Sequence, residues 1–134
     1  MITSPAFKNR KFALLGLSRS GLAAARSLSA GGAEILAWDN DENARAKVAD
    51  IATIADLLDA DLSGYDGIVV SPGVPINRHP IAEKAKEQGI PLIGDIELFA
   101  MARADLPPHR VVGITGTNGK STTTALVHHL LKSA

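Results

Sequence analysis

Phe12-Ala13-Leu14-Leu15-Gly16-Leu17-Ser18-Arg19-Ser20-Gly21 opens with four consecutive apolar residues, turns between two glycines, and runs into a helix-compatible segment. An apolar run without polar alternation suits a strand covered on both faces, as in parallel sheets. Ser20 to Ala30 reads as a helix with Leu22, Ala25 and Leu28 among its apolar positions, stopped by Gly31-Gly32. Strand, glycine turn and helix in this order open a nucleotide-binding βαβ unit. Ser18 stands where a dinucleotide fingerprint has its middle glycine, the residue that lets the backbone touch a pyrophosphate. A serine hydroxyl can still donate to phosphate. Asp39 lies 18 residues beyond Gly21, at the end of the next apolar segment, Glu34 to Trp38. Such folds place an acidic reader of ribose or base there. A tight turn without a ligand is the alternative reading of the same hexapeptide.

The pattern continues along the chain. Gly67 to Val70 predicts a third buried strand, broken by Ser71-Pro72-Gly73-Val74-Pro75, and Pro91 to Ile93 a further short one. Glu42 to Ala49, Pro80 to Gln88 and Asp95 to Ala104 predict helices, and Asp56 to Leu62 one or two helical turns. Short apolar strands alternating with helices predict an α/β fold: a Rossmann-like, mostly parallel sheet with helices on both faces. Residues 1–105 fall into this domain. Residues 106–110, with adjacent Pro107 and Pro108, read as a stiff linker that bars helix continuation.

Residues 111–134 carry a second phosphate motif. Val111 to Ile114 predicts a strand, Ser121 to Lys132 a helix, and Gly113-Ile114-Thr115-Gly116-Thr117-Asn118-Gly119-Lys120-Ser121-Thr122 joins them. Gly-Lys-Ser is the rear half of a phosphate-binding loop; the front half is a variant, with Ile114 where the strict pattern has glycine. In such a loop, backbone N–H groups and the helix N-terminus face the phosphates. Lys120 supplies a full positive charge there, and the Ser121 hydroxyl can ligate Mg²⁺. A domain built on this loop continues into a longer sheet, so the segment reads as the opening strand, loop and helix of a truncated second domain.

Composition narrows the partners. The chain has 134 residues, 14 Lys+Arg against 14 Asp+Glu, 46% hydrophobic and 21% charged residues, ordinary for a globular protein. No basic run or aromatic-interleaved patch points to nucleic acid. No apolar stretch approaches the ~20 residues of a membrane span. The chain has no Cys, which excludes disulfides and thiol catalysis and suits a cytoplasmic setting. Lys8, Arg10 and Lys11 before an apolar run mimic a secretion signal, but Arg19 interrupts that run too early.

Three motifs in order, Gly116-Thr117-Asn118-Gly119-Lys120-Ser121-Thr122, Ser71-Pro72-Gly73-Val74 and Gly94-Asp95-Ile96-Glu97-Leu98-Phe99, resemble the Mur ligase family, ATP-dependent enzymes of bacterial cell-wall precursor synthesis. The resemblance extends along nearly the whole chain and is narrowest to the members that add D-glutamate to UDP-N-acetylmuramoyl-L-alanine. It implies that Ser18, Arg19 and Ser20 sit at the diphosphate, Asp39 and Asn40 near uracil, and Gly73 against the nucleotide. It implies ATP at Gly116, Thr117, Asn118, Gly119, Lys120, Ser121 and Thr122, with Lys120 on the β/γ-phosphates and Ser121 on Mg²⁺. In such enzymes the γ-phosphate passes to the alanyl carboxylate, and the D-glutamate amine displaces it from the acyl phosphate. The further domains of the family are not in this sequence, so the resemblance implies a chain inactive in ligation, apart from the ATP-site Lys120 carrying no catalytic residue. It also implies a strand at 111–114 without neighbours, open to self-association through residues 111–134.

Other residues have plainer readings. Asp95 and Glu97 are acids favoured at a helix start. His128 and His129 are adjacent and make a poor metal pair. His79 precedes Pro80 at a helix start, and Trp38 reads as a sheet-core side chain. Two other functions fit parts of the pattern: a nicotinamide-dinucleotide-binding oxidoreductase domain, from Gly16–Gly21 and Asp39, and a non-enzymatic nucleotide-sensing module.

Overall fold

In the computed structural model, which describes residues 2–134, five parallel strands form one sheet. They are β1 (Lys11–Leu15), β2 (Glu34–Trp38), β3 (Thr53–Ile54), β4 (Gly67–Val70) and β5 (Leu92–Ile93), ordered β3-β2-β1-β4-β5. The helices are α1 (Arg19–Ala30), α2 (Glu42–Ala46), α3 (Ile81–Glu87), α4 (Asp95–Ala102) and α5 (Lys120–Ser133). Strand β1 is central: Leu14 pairs with Ala37 on one side and Val69 on the other. From it the chain winds outward first through β2 and β3, then through β4 and β5. The strand order therefore reverses beside β1, which is where open α/β sheets form a ligand crevice.

The continuous apolar run in β1 serves two cores at once. Successive strand residues point to opposite faces. Phe12 and Leu14 join Ala24, Ala25 and Leu28 of α1 and Leu98 and Ala102 of α4 on one face. Ala13 and Leu15 join Ile68 of β4, Ile81 and Ala85 of α3, and Leu57 and Leu62 on the other. Fully buried side chains such as Phe12, Leu14 and Leu28 contribute roughly 2–3 kcal/mol each by transfer out of water. A 3-10 turn at Pro5–Phe7 packs on α4 and seats Phe7 edge-on to Phe12, ring centroids 6.0 Å apart. Buried Ser4 accepts the Ala6 N–H at 3.0 Å and donates to Asp105 at 2.5 Å, joining the start of the chain to the end of the α4 region.

The predicted α/β fold is the observed one, and β2 and β4 have their expected bounds. Three expectations need correction. The helix expected over 42–49 ends at Ala46, continuing as turns closed by Val48 and Ala52 N–H groups. Asp56 to Leu62 forms hydrogen-bonded turns rather than helix, because Asp56 directs its carboxylate to the Leu58 N–H (2.9 Å) while its carbonyl takes the Ala60 N–H. Val111 to Ile114 lies outside any ladder; a strand exists only where a neighbour takes its N–H and C=O groups, and among the described residues no strand pairs with these. Helix α5 has no buried residue, and Leu126, Leu130 and Leu131 are exposed.

Candidate nucleotide site

The carboxyl ends of β1, β2 and β4 enclose a cleft of about 280 Å³, lined among others by Gly16, Trp38, Asp39, Asn40, Gly73 and Val74. Its geometry begins with the glycine turn after β1. Gly16 has φ +87°, a conformation side-chain-bearing residues rarely adopt. Gly21, in the first turn of α1, lies so near the turn that a Cβ there would stand 2.0 Å from the Gly16 carbonyl oxygen. The two glycines thus allow α1 to start directly over the end of β1. Ser71, buried after β4, donates from its hydroxyl to that same Gly16 carbonyl at 2.7 Å. This bond ties the ends of β1 and β4 together.

Asp39 locks the third strand end into place. Its Oδ2 accepts the Leu17 N–H at 2.6 Å and its Oδ1 the Asp41 N–H at 2.9 Å. Both carboxylate oxygens therefore hold backbone, joining β2 to the glycine turn. Arg45 supports the same turn from α2. Its guanidinium lies 4.6 Å from the Trp38 ring centroid and donates to the carbonyls of Asp39 (2.7 Å) and Asn40 (3.2 Å). Both carbonyl bonds come from Nη1, so one side chain joins a cation–π contact on Trp38 to two backbone carbonyls of the turn.

The residues expected at a diphosphate stand apart from this cleft. Ser18 is the N-cap of α1, with extended backbone and no side-chain capping bond, so its hydroxyl is not committed to the helix. Arg19 and Ser20 line a larger hollow of about 590 Å³ between α1, α4 and the N-terminal segment, with Phe7, Leu98 and Phe99. The structure thus brings Asp39, Asn40 and Gly73 together and sets Arg19 and Ser20 across the α1 N-terminus from them.

Sequence reasoning missed several residues of the cleft: Asp56, Leu58, Pro75 and a ligand-facing position for His79. Asp56 follows β3, a two-residue strand with no detectable pattern, so nothing in the sequence placed it beside β2. The helix-start reading of His79 holds, since its Nδ1 accepts the Ile81 N–H at 3.2 Å. Glu97 likewise accepts the Gly94 N–H at 2.8 Å, a helix-start role in keeping with its expected one.

The second phosphate motif is exposed throughout residues 115–134. Gly119 caps α5 in the left-handed region, φ +77°, and the Lys120 ammonium donates back to the Gly116 carbonyl. Ser121 offers one hydroxyl oxygen, and no cluster of three His, Cys, Asp or Glu able to hold a metal occurs among the described residues. Mg²⁺ demands six oxygens and keeps several waters. Ser121 therefore fits that ion as one ligand beside nucleotide phosphates, not as a protein cage. No helix is long and apolar enough to cross a membrane among the described residues.

Two shifted groups stand at the opposite, amino-terminal edge of the sheet. Asp66 is held below the usual carboxylate range, chiefly by the Lys11 N–H at 2.8 Å and also by Arg10 at 3.0 Å. Burial pushes the Tyr65 phenol up.

Comparison with known proteins agrees with the sheet and its crevice. A D-isomer specific 2-hydroxyacid dehydrogenase from Lactobacillus delbrueckii, solved in its NAD complexed form, superposes with TM-score 0.52 and 27% identity over 66% of this chain and 27% of its own. D-lactate dehydrogenase from Escherichia coli gives TM-score 0.51 and 24% identity over 66% of this chain and 29% of its own, a likeness of fold alone. Sequence similarity is much higher elsewhere. The UDP-N-acetylmuramoylalanine–D-glutamate ligase of Novosphingobium aromaticivorans is 64% identical over all of this chain and 30% of its own length. That of Sphingopyxis alaskensis is 62% identical over all of this chain and 31% of its own. The chain thus spans about three-tenths of the curated relatives it matches. The family described as "Mur ligase MurD-like, N-terminal domain" matches residues 10–94, which contain every strand and both glycines of the cleft, and the chain belongs to that family.

Proposed function

We propose that this chain is the N-terminal, uridine-nucleotide-binding part of an ATP-dependent ligase that joins D-glutamate to UDP-N-acetylmuramoyl-L-alanine. The observation that carries the reading is identity of 64% along the entire chain to a relative of that name. The cleft at the strand-order reversal adds physical support: about 280 Å³ is near the lower limit of small-molecule sites, roughly 300–1,000 Å³. It suits one base with its sugar rather than a whole dinucleotide. A nicotinamide-binding oxidoreductase is not favoured, since Ser18 replaces the glycine that a pyrophosphate approach requires. A self-contained nucleotide sensor leaves the exposed loop at Gly116–Thr122 without a fold of its own.

In this reading residues 1–105 bind the UDP end, residues 106–110 link, and residues 111–134 begin the ATP-binding part. Asp39 fixes the turn against which the base lies, Asn40 offers its amide to the base, and Gly73 leaves room for the sugar. Ser18, Arg19 and Ser20 present a hydroxyl, a cation and helix N–H groups to the diphosphate. Lys120 would take the β/γ-phosphates of ATP, and Ser121 would hold Mg²⁺, whose chemistry there is charge neutralisation on the phosphates. Activation of the alanyl carboxylate as an acyl phosphate and attack by the D-glutamate amine require groups beyond these. The chain alone therefore does not turn over, since its phosphate loop has no sheet beside it to fix the phosphates. Self-association through the exposed apolar residues of 111–134 belongs to the same reading.

Calorimetric titration of the chain with UDP, UDP-N-acetylmuramoyl-L-alanine and NAD tests the proposal. Saturable uptake of both uridine ligands without NAD uptake is expected. NAD binding tighter than UDP binding, or ligation by this polypeptide supplied with ATP and D-glutamate, would overturn it.

A further inference from the structure

The polar groups around the cleft divide into committed and uncommitted ones. Both carboxylate oxygens of Asp39 hold backbone N–H groups, and the Ser71 hydroxyl is given to Gly16. His79 lies on the other side of β1 from these β2-end residues, in the connection between β4 and α3, and lines the same cleft. Its Nδ1 accepts the Ile81 N–H at 3.2 Å. An imidazole nitrogen that accepts carries no proton, so in the neutral ring the proton sits on Nε2. The Ile81 bond thus sets the tautomer. It leaves a pure donor at Nε2, which has no hydrogen-bond partner among the described residues.

We propose that His79 is a specificity-determining contact of the nucleotide site, its Nε2–H donating to the 4-carbonyl oxygen of a uracil base. The inference rests on the uridine-nucleotide reading above and names how that site tells one pyrimidine from another. Uracil presents a carbonyl acceptor at position 4, where cytosine presents an amino donor. A fixed donor rewards the first and meets the second donor to donor. Asp39 is an acceptor with one lone pair of each oxygen already given to Leu17 and Asp41, and it cannot bond a 4-carbonyl. His79 is free to do so at Nε2, and its ring is already oriented by the helix start it caps.

The test uses the chain with UDP and CDP as probes. The wild type binds UDP more tightly than CDP. His79→Ala weakens UDP binding roughly five- to tenfold, the worth of one hydrogen bond, and does not weaken CDP binding, so the preference contracts by at least the same factor. His79→Asn keeps an acceptor within reach of the Ile81 N–H; it retains the melting temperature and loses the preference equally. In the wild type labelled with ¹⁵N-histidine, UDP shifts the Nε2 resonance of His79 and CDP does not. Equal weakening of both nucleotides, or an unchanged UDP/CDP ratio in both variants with an unmoved Nε2 resonance, defeats the inference while leaving the uridine reading intact. A wild-type chain that takes up neither nucleotide removes both.

Discussion

Gly21→Ala is the substitution whose cost follows most directly from the geometry. The new Cβ would stand 2.0 Å from the Gly16 carbonyl oxygen, 2.9 Å from its carbon and 2.7 Å from the Ser71 hydroxyl. A carbon–oxygen contact normally settles near 3.3 Å, so α1 must retreat by more than about 1 Å from the end of β1. The nearest atoms are backbone of a turn whose φ is already +87°, so no flexible side chain can swing aside. Overpacking of this kind costs about 1–3 kcal/mol. Pushing Ser71 from Gly16 sacrifices a buried hydrogen bond worth about 1 kcal/mol. Alanine's better helix propensity returns at most about 1 kcal/mol. The expected net loss is therefore about 1–3 kcal/mol, or a fall in melting temperature on the order of 10 °C for a folded unit of this size. Urea unfolding followed by circular dichroism measures it, with Gly73→Ala as the control, since a Cβ at Gly73 meets nothing within 4 Å. A Gly21→Ala protein within about 0.5 kcal/mol of wild type would refute the reasoning that this glycine exists for the approach of α1 to the turn.

Other perturbations separate structural from ligand-directed roles. Asp39→Ala frees the Leu17 and Asp41 N–H groups; denaturant unfolding is expected to show a loss of about 2 kcal/mol, together with weaker UDP uptake by calorimetry. Asp66 has a depressed carboxyl pKa, so it adds stability above the unfolded-state pKa of about 4, and this is lost as pH falls through its lower folded value. Asp66→Asn should flatten the acid limb of a melting-temperature-against-pH curve, and an unchanged limb would count against the Lys11 and Arg10 contacts. Lys120→Ala removes an exposed side chain whose partner is a single loop carbonyl; thermal unfolding should stay within about 0.5 kcal/mol of wild type.

Much of the fold was legible because its signals are local. Four apolar residues at Phe12–Leu15, the bounding glycines and the acid at Asp39 each sit within one βαβ unit, and each has a single structural solution there. The misreadings arose where local and tertiary terms disagree. Glu42 to Ala49 is rich in helix formers, yet the chain must descend to place Val48 and Ile51 against the α1-side core, and the helix stops at Ala46. Asp56 gives its carboxylate to the Leu58 N–H, offering the backbone a turn where propensity alone allowed helix. β3 was invisible, since two residues carry no period; only pairing with Leu36 and Ala37 defines it.

The site shows the same division for a different reason. Composition and spacing can name an acid at the end of β2, but they cannot say which of its oxygens are already occupied. Asp39 reads in sequence as a ligand-binding carboxylate, and in the fold it is a fastening between β2 and the glycine turn. His79 reads as a helix-start residue, and satisfying that role is what leaves its second nitrogen with a defined proton. A polar side chain becomes available to a ligand only after the backbone has taken what it needs. A donor in this cleft is accordingly expected from a residue the fingerprint does not mention. A comparison of Asp39→Ala with His79→Asn would make that visible: the first lowers stability and binding together, and the second changes nucleotide preference with the fold intact.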